Sequence, residues 1–191
     1  MQKLLKDIRN CKVCEKYLKD GVNPVLSVSS NSKIIIIGQA PGKAVHISGV
    51  PWDDKSGDNL RNWLGVSKEQ FYDDNIFGIV PIGFCYPGKG KSGDLPPRKE
   101  CAPLWHQKIF DKITKVDLII LIGQYAQKYY LKDKMQSNLT ETVRNYKTYL
   151  PQYLPLPHPS PRNNIWLSKN RWFENELLPE IQTIIKNAIK K

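Results

Sequence analysis

Ile34-Ile35-Ile36-Ile37-Gly38-Gln39-Ala40-Pro41-Gly42 is the stretch that decides how this chain folds. Four consecutive β-branched residues without polar alternation predict a strand covered on both faces, as strands of parallel sheets are. Gly38, Pro41 and Gly42 then predict a tight turn at the strand's carboxyl end, with backbone amides free to face a ligand. A purely structural turn would use the same residues.

Outward from this stretch, strand and helix patterns alternate. Residues 76–82, 117–122 and Tyr153–Leu156 predict further strands. Residues 56–65, 98–113 and 124–131 predict helices, and Asn138-x-x-Glu141 resembles a capping box opening another helix to about Tyr146. A C-terminal helix bent near Pro179 closes the chain. This alternation predicts an α/β fold, a three-layer α/β/α sandwich around a four-stranded parallel sheet, as a single domain over residues 1–191. In such sheets ligands bind beyond the carboxyl ends of the strands, where the strand order reverses. Two unusual loops fall at such ends: Gly38-Gln39-Ala40-Pro41-Gly42, and His158-Pro159-Ser160-Pro161-Arg162-Asn163-Asn164 after the last strand. Two prolines stiffen the second loop and hold His158 and Ser160 in place.

The 191 residues, 40% of them hydrophobic, suffice for one sizeable core. No apolar run approaches the roughly 20 residues of a membrane span, and the N-terminus lacks the apolar block of a secretory signal. A soluble, cytoplasmic protein is expected, and a monomer. Lysine and arginine number 29 against 18 acidic residues, a net charge of +11. That balance favours polyanions such as nucleic acid, although a generally solvated basic surface carries the same charge. Four cysteines in a reducing compartment are poorly explained as disulfides. Cys11 and Cys14 form a CxxC, and Cys85 and Cys101 lie 16 positions apart. Four thiolates suit zinc or an iron-sulfur cluster equally well on chemistry alone.

Taken in order, the turn at residues 38–42, the segment Gly49-Val50-Pro51-Trp52-Asp53-Asp54-Lys55-Ser56-Gly57, the loop His158-Pro159-Ser160-Pro161 and the four cysteines resemble the uracil-DNA glycosylase superfamily, specifically its iron-sulfur-containing bacterial and archaeal branch. The resemblance runs from Cys11 to about Arg171. It implies a monofunctional DNA glycosylase of base excision repair, which hydrolyses the bond between a deaminated base and its sugar and leaves an abasic site. Gly38, Gln39 and Ala40 would then contact the base. Trp52 would stack on the flipped base, a core tryptophan being the other reading, and His46 is close enough in sequence to face the pocket. His158 matches the donor to the departing base. Ser160, Arg162 and Asn163 would touch DNA, Arg162 either as a wedge filling the vacated stack or as a phosphate contact. The four cysteines would hold a 4Fe-4S cluster, with zinc as the alternative.

The chain also departs from these relatives. Ala40 stands where well-studied uracil enzymes carry Asp, and Gln39 where the common iron-sulfur branch carries Glu. Asp54-Lys55-Ser56-Gly57 instead matches another branch that places its acid just past the aromatic. Asp54 is therefore the expected water-activating carboxylate, with Asp53 as the alternative and a helix cap as the bland role of either. Pro81-Ile82 occupies the place of an asparagine that reads uracil, so hypoxanthine or xanthine become candidate bases. Two rivals remain: a nucleic-acid-binding protein that keeps the fold without catalysis, and an enzyme acting on a free nucleoside.

Overall fold

The computed structural model describes residues 1–190. Four strands, β1 (Ile34–Ile37), β2 (Phe77–Ile79), β3 (Leu118–Ile122) and β4 (Tyr153–Leu156), form one parallel sheet in the order β2-β1-β3-β4. The helices are α1 (Gln2–Arg9), α2 (Lys43–Ser48), α3 (Lys55–Leu64), α4 (Lys68–Tyr72), α5 (Gln107–Phe110), α6 (Gly123–Leu131), α7 (Leu139–Arg144), α8 (Asn164–Lys169) and α9 (Leu178–Lys190).

The run of isoleucines has its explanation in this layering. Ile34 and Ile36 pack on one face with Leu60 and Trp63 of α3 and Ile181 and Ile185 of α9. Ile35 and Ile37 pack on the other with Ile8 of α1, Ile109 of α5 and Ala126 of α6. All four are fully buried, and each contributes about 1.5–3 kcal/mol of apolar burial. Pro155 is tolerated within β4 because that strand lies at the sheet edge, where a missing N–H costs no ladder bond. At the opposite edge, Ser27 bridges antiparallel to Ile79 and covers β2. The three-layer α/β/α fold expected from the sequence is the fold found.

Since β1 lies inside the sheet, the chain runs outward to β2 and then returns past β1 to β3. The strand order reverses between β1 and β3, which puts the carboxyl ends of these strands at a switch point.

Several boundaries differ from expectation. The strand expected over 76–82 ends at Ile79, because Pro81 has no N–H to donate. Beyond it, Val80, Ile82 and Gly83 still donate to the carbonyls of Ile36, Gly38 and Gln39. The helix expected over 98–113 begins only at Ala102, as a wide π-helical turn through His106 leading into α5. Arg98 and Glu100 pair with each other at 2.5 Å instead of joining a helix. Near Pro179 the distortion takes the form of a π-helical turn over Phe173–Leu177, just before α9. The expected box at Asn138 forms one of its two bonds, Glu141 N–H to Asn138 Oδ1 at 2.9 Å. A complete capping box, Ser67 with Gln70, opens α4.

Candidate active site

The turn at 38–42 leaves β1 pinned from one side, with Ile82 N–H donating to Gly38 O at 2.9 Å and Gly83 N–H to Gln39 O at 3.0 Å. Its other side is free for the indole of Trp52. A Cβ on Gly38 would stand 2.9 Å from Trp52 Cζ2, so only glycine lets the ring lie this close.

Trp52 itself has φ 57, a conformation that costs a non-glycine residue about 1–3 kcal/mol and persists only where neighbours enforce it. The enforcement is visible. Gly57, in the first turn of α3, packs so tightly on Trp52 that an added Cβ would fall 1.7 Å from its carbonyl oxygen. Buried Arg61 donates to the same oxygen at 3.4 Å, is paired with Asp58 at 2.6 Å, and lies 3.4 Å from the Tyr72 hydroxyl, which donates to Pro51 O.

Asp54 is the N-cap of α3: its Oδ1 accepts the Gly57 N–H at 2.8 Å. It also lines the cavity, with Oδ2 outside the cap. Asp53 is exposed and lies outside the cavity lining.

The loop after β4 is anchored from two directions. Asn59 of α3 donates to Pro159 O at 2.9 Å, and Asn163 donates to His158 O at 2.7 Å. Ser160 N–H points at His158 Nδ1, 3.2 Å away. That nitrogen must accept, so the proton of the neutral ring sits on Nε2, a tautomer assigned from the hydrogen bond. Burial lowers the His158 pKa below the usual imidazole value, and the negative charges of Asp54 and Asp94 oppose this incompletely. The ring is thus neutral at pH 7 with an N–H to give. It lies 5.6 Å from the Trp52 ring, tilted by 39°.

These groups surround a cavity of about 520 Å³. Of the residues expected from the sequence, Gly38, Gln39, Ala40, Trp52, Asp54, His158, Ser160, Arg162 and Asn163 line it together. His46, like Asp53, does not. Its side of α2 faces the N-terminal segment, where Nε2 donates to Asp20 O at 3.1 Å and the ring lies 5.9 Å from Tyr86.

Three contributions were not foreseen. Lys43 and Asp94 line the cavity, the latter from a Gly- and Lys-rich loop that carries no motif around it. Beneath Pro81 in the cavity wall lies buried His106, whose Nε2 donates to Pro81 O at 3.1 Å while Nδ1 accepts from the Tyr130 hydroxyl at 2.6 Å. Burial pushes its pKa down to about 4.

A second, much smaller void of about 20 Å³ gathers Cys11, Cys14, Cys85 and Cys101, walled by apolar residues including Ile8, Leu18 and Phe84. All four are free thiols. Burial and the neighbouring sulfurs push Cys85 up to about 11 and Cys101 to about 12, so only a positively charged group would ionise them together at neutral pH. Among the described residues, no three His, Cys, Asp or Glu side chains converge closely enough to grip a single metal ion. An all-sulfur donor set in an apolar shell, contributed by both ends of a CxxC and two distant cysteines, fits the ligand chemistry of an iron-sulfur cluster. Arg98 lies beside it, stacked 4.3 Å from the Tyr17 ring centroid.

Comparison with known proteins follows the same lines. The chain is 26% identical over 140 residues to the Type-4 uracil-DNA glycosylase of Saccharolobus solfataricus, an alignment covering 69% of this chain and 60% of that protein. The match thus spans less than two thirds of the relative's length. Two solved structures are similar in outline: a solution NMR structure from Methanosarcina acetivorans, named provisionally as a uracil DNA glycosylase (TM-score 0.45, 16% identity, 86% of this chain and 98% of that one), and the crystal structure of Pedobacter heparinus SMUG2 (TM-score 0.36, 15% identity, 84% and 74%). The model of one family, described as the Uracil DNA glycosylase superfamily, matches residues 27–182, most of the chain, and to that superfamily this protein belongs.

Proposed function

We propose that this protein is a monofunctional DNA glycosylase that hydrolyses the bond between a deaminated base and deoxyribose. The observation that carries this reading is the cavity itself, in which a neutral His158 and the Asp54 carboxylate flank Trp52 beyond the switch point of the sheet.

A base reaches such a cavity only when flipped out of the duplex, and the exposed part of the Trp52 ring offers it a stacking surface. The amides of residues 38–42 and the Gln39 side chain offer polar contacts to its edge. As the glycosidic bond breaks, negative charge collects on a base carbonyl oxygen, where the Nε2–H of His158 stabilises it without transferring its proton. Asp54 has one oxygen committed to the helix cap and directs the other at the attacking water, whose proton it accepts. No motif places a lysine as a Schiff-base nucleophile, and Lys43 at the cavity is assigned to DNA contact, so water is the attacker and an intact strand with an abasic site is the product. Pro81 offers neither side-chain amide nor N–H, which relaxes selection for uracil and extends the candidate bases to hypoxanthine and xanthine.

Ser160, Arg162, Asn163 and Lys43 at the cavity, in a chain of net charge +11, supply contacts to DNA. Cys11, Cys14, Cys85 and Cys101 would hold a 4Fe-4S cluster, which would tie the N-terminal segment to the loop that carries Tyr86 and Asp94. Such thiols stay available in the cytoplasm, where the protein acts as a monomer.

The test is to incubate the protein with duplex and single-stranded oligonucleotides carrying one uracil, hypoxanthine or xanthine, and to assay free base and strand separately. Base release with the strand intact is expected for at least one of the three. Binding across the panel without release would overturn the reading in favour of a non-catalytic nucleic-acid-binding protein.

A further inference from the structure

The turn at 38–42 carries no acid, since Gln39 and Ala40 are neutral, and Asp54 spends one oxygen on a helix cap. A second carboxylate nevertheless lines the cavity. Asp94 comes from a small hairpin closed by Gly90 N–H to Gly93 O at 2.6 Å and Leu95 N–H to Gly88 O at 2.8 Å. The hydroxyl of buried Tyr86 donates to Asp94 Oδ1 at 3.4 Å, and Oδ2 is turned toward Gly42, 3.8 Å from where a Cβ would stand. The preceding Gly93 lies against the Arg162 guanidinium, its would-be Cβ 3.1 Å from Nη1. Asp94 is thus held at the rim between the turn and the DNA-facing loop. A carboxylate there repels phosphate and weakens binding of any polyanion, so a transition state that gains positive charge is what would use it.

Resting on the glycosylase reading, we propose that Asp94 faces the deoxyribose and stabilises the sugar cation that forms as the glycosidic bond breaks. The C1′–N bond breaks with its electron pair passing to the base. Water oxygen bonds C1′ and gives its proton to Asp54, while Asp94 stays ionised and forms no bond. Asp54, Asp94 and His158 line the same cavity, and the negative charges of both aspartates oppose the fall in the His158 pKa.

The test compares two abasic duplexes, one bearing a pyrrolidine that is cationic at pH 7 and one bearing its neutral tetrahydrofuran counterpart. The wild-type protein should prefer the cation by about tenfold or more. Asp94→Asn should cut that preference several-fold, the charge of Asp54 keeping the remainder, while leaving affinity for the neutral duplex unchanged or tighter. Single-turnover excision should fall by at least about tenfold with the set of bases excised unchanged, and Asp94→Glu should recover part of the loss. Equal loss of affinity for both duplexes would reduce Asp94 to a structural role and overturn the proposal. So would an unaltered preference, or a change in which base is excised. Failure of the wild-type protein to bind either duplex would instead overturn the glycosylase reading beneath it.

Discussion

Asp54 joins two duties on two oxygens, and substitution separates them. Asn caps helices about as well as Asp, so Asp54→Asn should keep the bond to Gly57 N–H and change stability by no more than a few tenths of a kcal/mol. Turnover should nonetheless fall by about 10²-fold or more, because the amide cannot take a proton from water. Asp54→Ala should lose the same activity and about 1 kcal/mol of stability besides. Equal activity in Asp54→Asn and wild type, measured in single turnover, would move the carboxylate role elsewhere. Gly57→Ala tests the support of the stacking ring. Its methyl would collide with the Trp52 carbonyl, so the φ of Trp52 must change, and tryptophan fluorescence should shift along with a stability loss of several kcal/mol.

At this scale the legible residues were those whose chemistry is local. The glycines and prolines around Gln39 and His158 announce rigid turns by themselves, and the Asp-x-Ser-Gly sequence announces a helix start. Asp94 and His106 were not legible, because each acquires its position from a side chain that no local pattern brings to it: Asp94 from buried Tyr86 across the loop that joins them, His106 from Tyr130 on α6. His46 misled for the converse reason. Nearness in sequence to Trp52 says nothing about which side of α2 a residue occupies.

Among the elements, β1, β3, β4, α3 and α6 were readable because their apolar period or continuity follows from burial in the sheet or on it. The short helices α1, α2, α4 and α8 were not, since helices of five to eight residues have too few turns to establish a period and are held by tertiary contacts. The π-helical turn before α5 likewise had no local cause in the sequence.

That turn carries His106, which yields a pH prediction. Its folded pKa, near 4, is below the unfolded value of about 6.5, so the folded state binds a proton less readily than the unfolded one. Its contribution is complete above pH 6.5 and is lost as pH falls from 6.5 toward 4, amounting to about 2 kcal/mol by pH 5. His158 is shifted in the same direction and adds to the loss. Glu100 and Glu180, whose pKa values are lowered, act only below the ordinary carboxylate range. Urea midpoints at pH 7.5 and 5 should therefore differ clearly in the wild-type protein and less in His106→Gln. Parallel behaviour of the two proteins would show that His106 titrates normally.

The whole molecule brings two separated cysteine regions together near the cavity. Cys85 is followed at once by Tyr86, and Cys101 leads into the turn that places His106 under Pro81. Protein purified without oxygen should be brown and hold about four irons per chain, and Cys85→Ser should be paler and melt at lower temperature. A colourless wild-type protein with zinc bound would replace the cluster by a Cys₄ zinc site. The net charge of +11 predicts that DNA affinity falls by more than about tenfold between about 50 and about 200 mM salt. An enzyme for free nucleosides would show almost no such dependence.

Most direct is a single-turnover time course of alkali-labile sites in a duplex with one deaminated base, wild type beside His158→Ala. The mechanism predicts abasic sites at that base alone, forming about 10²-fold or more slowly in the variant, because removing the Nε2–H leaves the departing base without its donor. Absence of abasic sites in the wild-type reaction at every deaminated base, or equal rates in the two proteins, would contradict it.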